Sequence, residues 1–110
     1  MPYEIFYYSD KVQEEIAELP KTIVARYFKL TDRMEVFGPD LGMPHTRAMG
    51  NGLFELRLMG GDGIARVFYC TLAGQRIVML HCFVKKTGKT PKGELALALR
   101  RKQEVCHGKS

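Results

Sequence analysis

An apolar run near the C-terminal third, Ile77–Val84, constrains the fold of this sequence more than any other stretch. It reads IVMLHCFV, rich in β-branched and aromatic residues, with one histidine and one cysteine inside it. A strand of this composition has to be covered on both faces, which predicts a central strand rather than an edge strand. The elements before it are therefore expected to build the sheet in which this strand lies.

A basic segment follows the strand at once. Lys85, Lys86 and Lys89 come after the apolar run, and Thr90-Pro91 is a typical N-cap and first turn of a helix. Cations at the end of a central strand, beside a helix N-terminus, predict an anion site. Residues 41–110 hold 12 Lys and Arg against 4 Asp and Glu, whereas residues 1–40 hold 5 against 8. This asymmetry predicts a polyanion-binding face, the alternative being a merely solubilising surface charge.

The first forty residues predict one strand and two helices. An aromatic and β-branched stretch, 3–8, is a candidate first strand, and Ser9 or Asp10 can cap a helix after it. Apolar residues then recur at intervals of three and four along 12–19 and along 23–37, with a proline between the two segments. This spacing is that of a helical face, so two antiparallel helices packed on a sheet are expected.

From residue 53 onward the apolar period changes to two, the period of a half-buried strand. In LFELRL, Glu55 and Arg57 alternate with apolar residues, and the strand after a glycine-rich turn carries Arg66 among apolar neighbours. Residues 40–52 are expected to form a loop, which carries Arg47. Together the elements predict an α+β fold: a small antiparallel sheet in β-α-α-β-β-β-α order, backed by two N-terminal helices.

Length and composition limit the classes of protein that remain. A chain of 110 residues predicts a single domain, 1–110, with a flexible tail over about 104–110. No apolar run approaches the ~20 residues of a membrane span, and no signal-peptide core is present, so a cytoplasmic protein without a membrane is expected. Cys70, Cys82 and Cys106 form no CxxC pair, which predicts no zinc site, and no metal or cofactor is expected. Cys70 and Cys82 are expected to be core residues.

The polar residues of the predicted sheet suit a phosphate. If Arg57 and Arg66 share a face, antiparallel pairing places them opposite or diagonal to each other, within reach of one phosphate. The alternative is that each arginine pairs with a nearby carboxylate such as Glu55. Metal-free RNA cleavage also needs a base and an acid, for which Glu55 or His81 is a candidate base and a lysine a candidate for either role. His81 is alternatively a hydrogen-bonded core histidine.

Three segments in order, LFELRL, GIARVFY and IVMLHCFVKKTGKTPKGELALA, resemble the RelE/HigB superfamily of bacterial toxins, in its phage-derived HigB-like branch. The resemblance implies a RelE-like fold, similar to microbial ribonucleases, and metal-independent endoribonuclease activity against mRNA in the ribosomal A site. It also implies partners: mRNA, the 70S ribosome and a cognate antitoxin, in this branch often a HigA-like helix-turn-helix protein. Operator DNA would be bound only through the antitoxin complex.

Carried over by position, the resemblance implies roles for individual residues. Arg57, Arg66 and Lys86 would be the basic catalytic residues, with Lys85 adjacent. Glu55 stands where RelE-like relatives often carry a lysine, which leaves open whether the base is a lysine or this carboxylate. No tyrosine of the RelE kind follows the lysines, so base stacking would fall to aromatic residues of the sheet or to ribosomal RNA. The side chains expected to contact RNA are cationic, aromatic or imidazole: Arg47, Tyr69, His81, Phe83, Lys85 and Lys89.

Two other functions remain compatible with these residues. A non-catalytic RNA- or ribosome-binding module of the same fold would arrest translation and leave the message uncut. DNA binding by the chain itself is the other, but a chain without a helix-turn-helix could repress only as part of an antitoxin complex.

Overall fold

The computed structural model describes residues 2–86 and 90–107. Within this part of the chain the elements follow the order β-α-α-β-β-β-β-α. Their bounds are β1 Glu4–Tyr7, α1 Asp10–Ala17, α2 Lys21–Phe37, β2 Thr46–Gly50, β3 Leu53–Gly60, β4 Gly63–Leu72, β5 Arg76–Val84 and α3 Lys92–His107. The predicted α+β class is confirmed, with β2 as a strand that the sequence pattern did not indicate.

The strands of the described residues form one sheet in the order β1-β5-β4-β3-β2. β5 lies inside this sheet, between β1 and β4, as its apolar run predicts. The pairs β2–β3, β3–β4 and β4–β5 are antiparallel, but β1 pairs with β5 in parallel, so the sheet is mixed rather than wholly antiparallel. A tight turn imposes the antiparallel direction only on consecutive strands, and most of the chain separates β1 from β5.

The segment expected to be a loop, 40–52, contains the additional strand. β2 forms a hairpin with β3 through Asn51-Gly52, where φ is 57° and 77°. Positive φ at both central residues is characteristic of a type I′ turn, which Asn and Gly adopt at low cost. The hairpin places Arg47 directly opposite Glu55. The face of the sheet that carries Glu55 is therefore extended by one strand.

Helices cover the sheet on both faces. α1 and α2 pack on one face, around buried residues of helices and strands that include Ile16, Ile23, Tyr27, Leu30, Leu56, Leu58, Val67 and Met79. α3 packs on the other face, over Leu53, Phe68, Cys70, Val78 and Leu80. The two N-terminal helices therefore back the sheet as predicted, although Phe28 and Phe37 of the predicted apolar stripe are exposed. None of the helices in the described residues is both long and apolar enough to cross a membrane.

The start of α1 agrees with the prediction from the sequence, whereas the end of α3 does not. Ser9 caps α1, because its hydroxyl oxygen accepts a hydrogen bond from the backbone N–H of Val12 at 3.2 Å. α3 continues to His107, so residues 104–107, expected to belong to a flexible tail, are helical. The Tyr8 hydroxyl donates to the Glu104 carboxylate, and Val105 packs against the core beneath α3. Residues 108–110 lie outside the described residues.

A β-bulge decides which side chains of β5 face α3. The register between β4 and β5 shifts after Phe68, which pairs with His81, whereas Tyr69 pairs with Met79. Leu80 is the extra residue, and it packs on the α3 face, whereas Met79 packs beneath α1 and α2. Strict alternation along β5 would have kept Met79 and His81 on one face, and the bulge separates them.

Gly60 lies so close to α2 that a side chain has no room. A Cβ atom at Gly60 would lie 2.5 Å from Thr22 Oγ1, and that hydroxyl donates to Asp62 Oδ2 at 2.9 Å and is therefore not free to move. We expect Gly60→Ala to lower the free energy of unfolding by about 1–3 kcal/mol in urea denaturation. Gly61→Ala is the matched control, since a Cβ atom there meets nothing within 4 Å. Equal losses in the two variants would contradict the packing explanation.

Candidate active site

The face of the sheet that carries α3 also carries the charged residues Glu55, Arg57 and Arg66, of which Arg57 is partly exposed and the other two are buried. Side chains alternate along each strand, so Glu55 and Arg57 of β3 share the face of Leu53, which packs beneath α3. Arg66 shares this face with Phe68 on β4. Arg57 and Arg66 are direct partners in the antiparallel register. The predicted juxtaposition of these two arginines is therefore confirmed.

Glu55 lies at the centre of this group. Its side chain is 1% exposed. Carboxylate oxygen Oε1 is 3.3 Å from Nη1 of Arg57, and Oε2 is 3.7 Å from Nε of Arg66. The alternative in which each arginine pairs with Glu55 is thus present in the structure, together with the facing arrangement of the arginines. Glu55 screens the repulsion between two guanidinium groups that the register brings together.

The group still carries more positive than negative charge. One carboxylate faces two guanidinium groups, and Arg66 is only 3% exposed. Burial lowers the pKa of Arg66, the charge of Arg57 lowers it further, and Glu55 opposes both effects. The Nε atoms of Arg57 and Arg66 are buried and have no hydrogen-bond partner. Such a site suits an anion, because an anion supplies both the missing charge and the missing acceptors.

The segment after β5 is tied to this group through Thr90. Its hydroxyl donates to Oε2 of Glu55 at 3.2 Å. The sequence predicts this threonine as the N-cap of the last helix, but α3 begins at Lys92 and the threonine side chain reaches the sheet instead. Glu55 thereby holds together β3, β4 and the start of α3.

His81 is engaged with α3 rather than with the arginine pair. Its Nε2 atom lies 2.5 Å from Oε1 of Glu94, and its side chain is 12% exposed. Its other ring nitrogen, Nδ1, is buried without a partner, and its ring stacks near Phe83 at a centroid distance of 6.1 Å. The structure thus favours the prediction of a hydrogen-bonded interior histidine over that of a free base.

Two aromatic residues expected to stack on RNA bases are core residues. Tyr69 is fully buried on the opposite face, where its ring stacks on Phe54 at 5.4 Å and its hydroxyl donates to the Pro39 carbonyl. The prediction that Tyr69 contacts RNA is wrong, because its position in β4 directs it beneath α2. Phe83 lies on the correct face but is 8% exposed and packs against Phe68 at 5.7 Å. A stacking role that needs an open face of the Phe83 ring is therefore also wrong.

The side chains of the two lysines that follow β5 point to opposite faces of the sheet. The backbone N–H of Lys85 donates to the Ile64 carbonyl at 2.8 Å, so the pairing with β4 continues for one residue beyond the strand. Alternation from Phe83 then directs the half-buried Lys85 to the face of Arg66 and the exposed Lys86 to the opposite face. Lys85 is consequently the better candidate for a catalytic lysine than Lys86. Lys89 lies outside the described residues.

β2 and the turn before it bring two further residues to the site. Arg47 is exposed and stands opposite Glu55, on the same face of the sheet. His45 stands opposite Arg57, whose backbone N–H donates to the His45 carbonyl at 2.8 Å. A cleft of about 200 Å³ is lined by Arg26, Pro44, His45, Arg57 and Met59. The sequence did not single out His45, and only the Asn51-Gly52 turn hints at the hairpin that places it.

The cysteines take no part in the site, and its carboxylate is not part of a metal-binding group. Cys70 and Cys82 are buried as predicted, and burial raises the pKa of each thiol to about 12. They are therefore protonated at neutral pH and behave as small hydrophobic residues. Across residues 2–86 and 90–107, no group of three His, Cys, Asp or Glu side chains is placed to hold a metal ion.

Known proteins resemble the chain in sequence pattern and in fold. The family model described as "Phage derived protein Gp49-like (DUF891)" matches residues 14–103. A chain of the archaeal RelE-RelB complex from Pyrococcus horikoshii OT3 superposes with a TM-score of 0.53 and 21% sequence identity. The match covers 82% of this chain and 100% of that one, and at this identity it shows a shared fold. No curated protein matches the sequence.

Proposed function

Because this chain belongs to the Gp49-like family of phage-derived proteins, a family of RelE/HigB-type toxins, we propose that it is a metal-independent, ribosome-dependent mRNA endoribonuclease. One observation carries the proposal. Arg57, which is partly exposed, and Arg66, which is buried, face each other on paired strands, share a single carboxylate and keep both Nε atoms without an acceptor. A phosphodiester supplies the anion that this arrangement accommodates.

The arginine pair acts on the charge that develops during cleavage. When the 2′-hydroxyl attacks the neighbouring phosphate, negative charge accumulates on the non-bridging oxygens of a phosphorane. The guanidinium groups of Arg57 and Arg66 stabilise this charge, and the charge of Arg66 is little screened because it is nearly removed from water. Their geometry is set before RNA binds, since both belong to paired strands and contact Glu55.

Glu55 serves this site as a counter-ion rather than as the base. One of its oxygens contacts Arg57, and the other contacts Arg66 and the Thr90 hydroxyl. A base needs an oxygen that is free to take the proton of the 2′-hydroxyl, whereas both oxygens of this carboxylate are already engaged. The role of Glu55 is to fix the two arginines in a reactive geometry.

The wider basic face guides RNA to the arginine pair. Arg47 extends it across β2, and Lys85 extends it beyond the end of β5. Contacts of this kind bind phosphates without regard to sequence. The ribosome supplies what such a face lacks, because it holds the A-site codon in one orientation, and positioning is worth several kcal/mol of the barrier. The protein therefore acts in the cytoplasm, where translating ribosomes are found.

We further propose that an antitoxin neutralises the chain. The similar structure is a RelE-RelB complex, so a chain of this fold has been seen with a partner. The proposed partner is a HigA-like helix-turn-helix protein encoded beside this chain, and operator DNA is bound through that complex. Co-purification of the two proteins, with loss of growth arrest, tests this assignment.

A non-catalytic ribosome-binding module is the second candidate, and one observation favours it. Within the group formed by Glu55, Arg57, Arg66 and Thr90, the only titratable base is a buried carboxylate with both oxygens engaged. A module of this kind would occupy the A site through the basic face and leave the message intact.

Primer extension on a defined mRNA distinguishes the two candidates. Purified protein is incubated with the mRNA alone and with the same mRNA on programmed 70S ribosomes. We expect cuts within A-site codons only when ribosomes are present, because the site depends on the ribosome for orientation.

Translation arrest with an uncut message would replace the nuclease by the binding module. Cuts in free RNA at equal rates would show that the basic face is a self-sufficient nuclease and would contradict ribosome dependence. An Arg57→Ala/Arg66→Ala double variant that retains toxicity would remove the site assignment itself.

A further inference from the structure

A cleft that Arg57 lines also contains a histidine to which the proposed function gives no role. The cleft, of about 200 Å³, is formed by residues of α2, β3 and the turn before β2, and Arg57 lines it. His45 lines the same cleft and is half-buried. Arg57 and His45 therefore border the same cleft, and histidine is the residue type that most often serves as a general acid or base.

The backbone of His45 is held from both sides. Its N–H donates to the Gly42 carbonyl at 3.0 Å, and its own carbonyl accepts from the backbone N–H of Arg57 at 2.8 Å. The next residue, Thr46, is buried, and its hydroxyl accepts a hydrogen bond from the Gly42 N–H at 2.9 Å. His45 is thus presented by a fixed turn and not by a loose loop, which is what a group that transfers a proton requires.

The other candidate bases of the described residues are engaged elsewhere. Glu55 is enclosed by its contacts with the two arginines and Thr90, and His81 is bound to Glu94 beneath α3. The remaining histidine of the sequence, His107, is at the far end of α3. His45 is the histidine that shares a cleft with an arginine of the site.

The charged side chains near His45 come from α2, β2, β3 and the segment before β2. Arg26 of α2 and Arg57 of β3 line its cleft. Arg47, two residues along β2, is exposed. The nearest carboxylate in sequence, Asp40, is turned away, because its Oδ1 atom accepts from the Gly42 N–H at 3.1 Å and from Thr46. Among residues 2–86 and 90–107, no carboxylate lines the cleft to compete with RNA for its cations.

We propose that His45 is the general base of the cleavage reaction, an inference that rests on the proposed nuclease function. The neutral imidazole takes the proton of the 2′-hydroxyl as the 2′-oxygen–phosphorus bond forms and the phosphorus–5′-oxygen bond breaks. The leaving 5′-oxygen takes a proton from water, and the imidazolium returns its proton to solvent. The products are a 2′,3′-cyclic phosphate and a 5′-hydroxyl, so no atom or electron is left unaccounted for.

Single-turnover cleavage of an A-site codon on programmed ribosomes tests the assignment. For His45→Asn we expect a rate at least about 10²-fold below that of the unaltered protein, with unchanged ribosome binding and thermal melting. His107→Asn, at the exposed end of α3, is the matched control and should retain the rate of the unaltered protein.

The possible results distinguish a failure of the proposed nuclease function from a failure of the base assignment alone. If the unaltered protein never cuts mRNA, the nuclease function fails, and the base assignment fails with it. If the unaltered protein cuts and a folded His45→Asn cuts within about twofold of its rate, only the base assignment fails. His45→Gln is the second variant should the asparagine disturb the turn.

A modified mRNA separates a base from an acid. A sulfur atom in place of the bridging 5′-oxygen makes a leaving group that needs no proton. Loss of a base leaves His45→Asn slow on this substrate, which is the expected result. Recovery of the unaltered rate would mean that His45 donates a proton to the leaving oxygen, and it would overturn the assignment as base.

Discussion

Arg66→Met is expected to reduce A-site mRNA cleavage by about 10²–10³-fold, because it removes a preorganised donor from the developing phosphorane. Arg66 is 3% exposed, stands opposite Arg57 and has a buried Nε atom with no hydrogen-bond acceptor. Its charge therefore acts with little screening by water. The rate is measured by primer extension on programmed ribosomes under single-turnover conditions.

Two further variants separate the role of Arg66 in catalysis from its role in the fold. Arg66→Lys keeps the positive charge beside Glu55 but loses the planar fork, so it should stay folded and still cleave slowly. Arg33→Met, on the exposed surface of α2, is the matched control and should cleave at the unaltered rate. A folded Arg66→Met that cleaves as fast as this control would remove Arg66 from the active site.

Glu55→Ala is expected to have the largest effect on stability, lowering the free energy of unfolding by about 3–5 kcal/mol. Removing this carboxylate leaves Arg57 and Arg66 facing each other on paired strands without a counter-ion, and it also leaves the Thr90 hydroxyl without its acceptor. Urea denaturation of the purified protein measures the loss. Glu14→Ala, at an exposed position on α1, is the matched control and should change stability by less than about 0.5 kcal/mol.

Inorganic phosphate provides an internal check on this explanation. If Glu55 fills the place of an anion between the arginines, phosphate should raise the melting temperature of Glu55→Ala more than that of the unaltered protein. Adding Arg66→Met to Glu55→Ala should recover part of the lost stability, because one of the facing charges is then gone. A loss below about 1 kcal/mol in Glu55→Ala, without any response to phosphate, would show that the carboxylate is not the counter-ion.

The sequence alone was enough to predict those features of the fold and of the site that residues close in sequence determine. The alternation in LFELRL places Glu55 and Arg57 on one face of β3, and the short glycine-rich turn after it sets the register that brings Arg66 opposite Arg57. The helical spacing of apolar residues likewise indicates α1 and α2, and the run Ile77–Val84 indicates an interior strand. These features depend on side-chain periodicity and on turns of a few residues, both of which are local.

Tertiary structure decided the features that depend on contacts between distant residues. A bulge changes the phase of alternation in β5, so that His81 faces Glu94 of α3, and burial of one face beneath α2 turns Tyr69 into a core residue. The Thr90 hydroxyl reaches Glu55 across 35 positions instead of capping a helix. His45 joins the site only because β2 pairs with β3. A sequence period reports which residues share a face, but only packing determines what covers that face and which polar groups remain open to RNA.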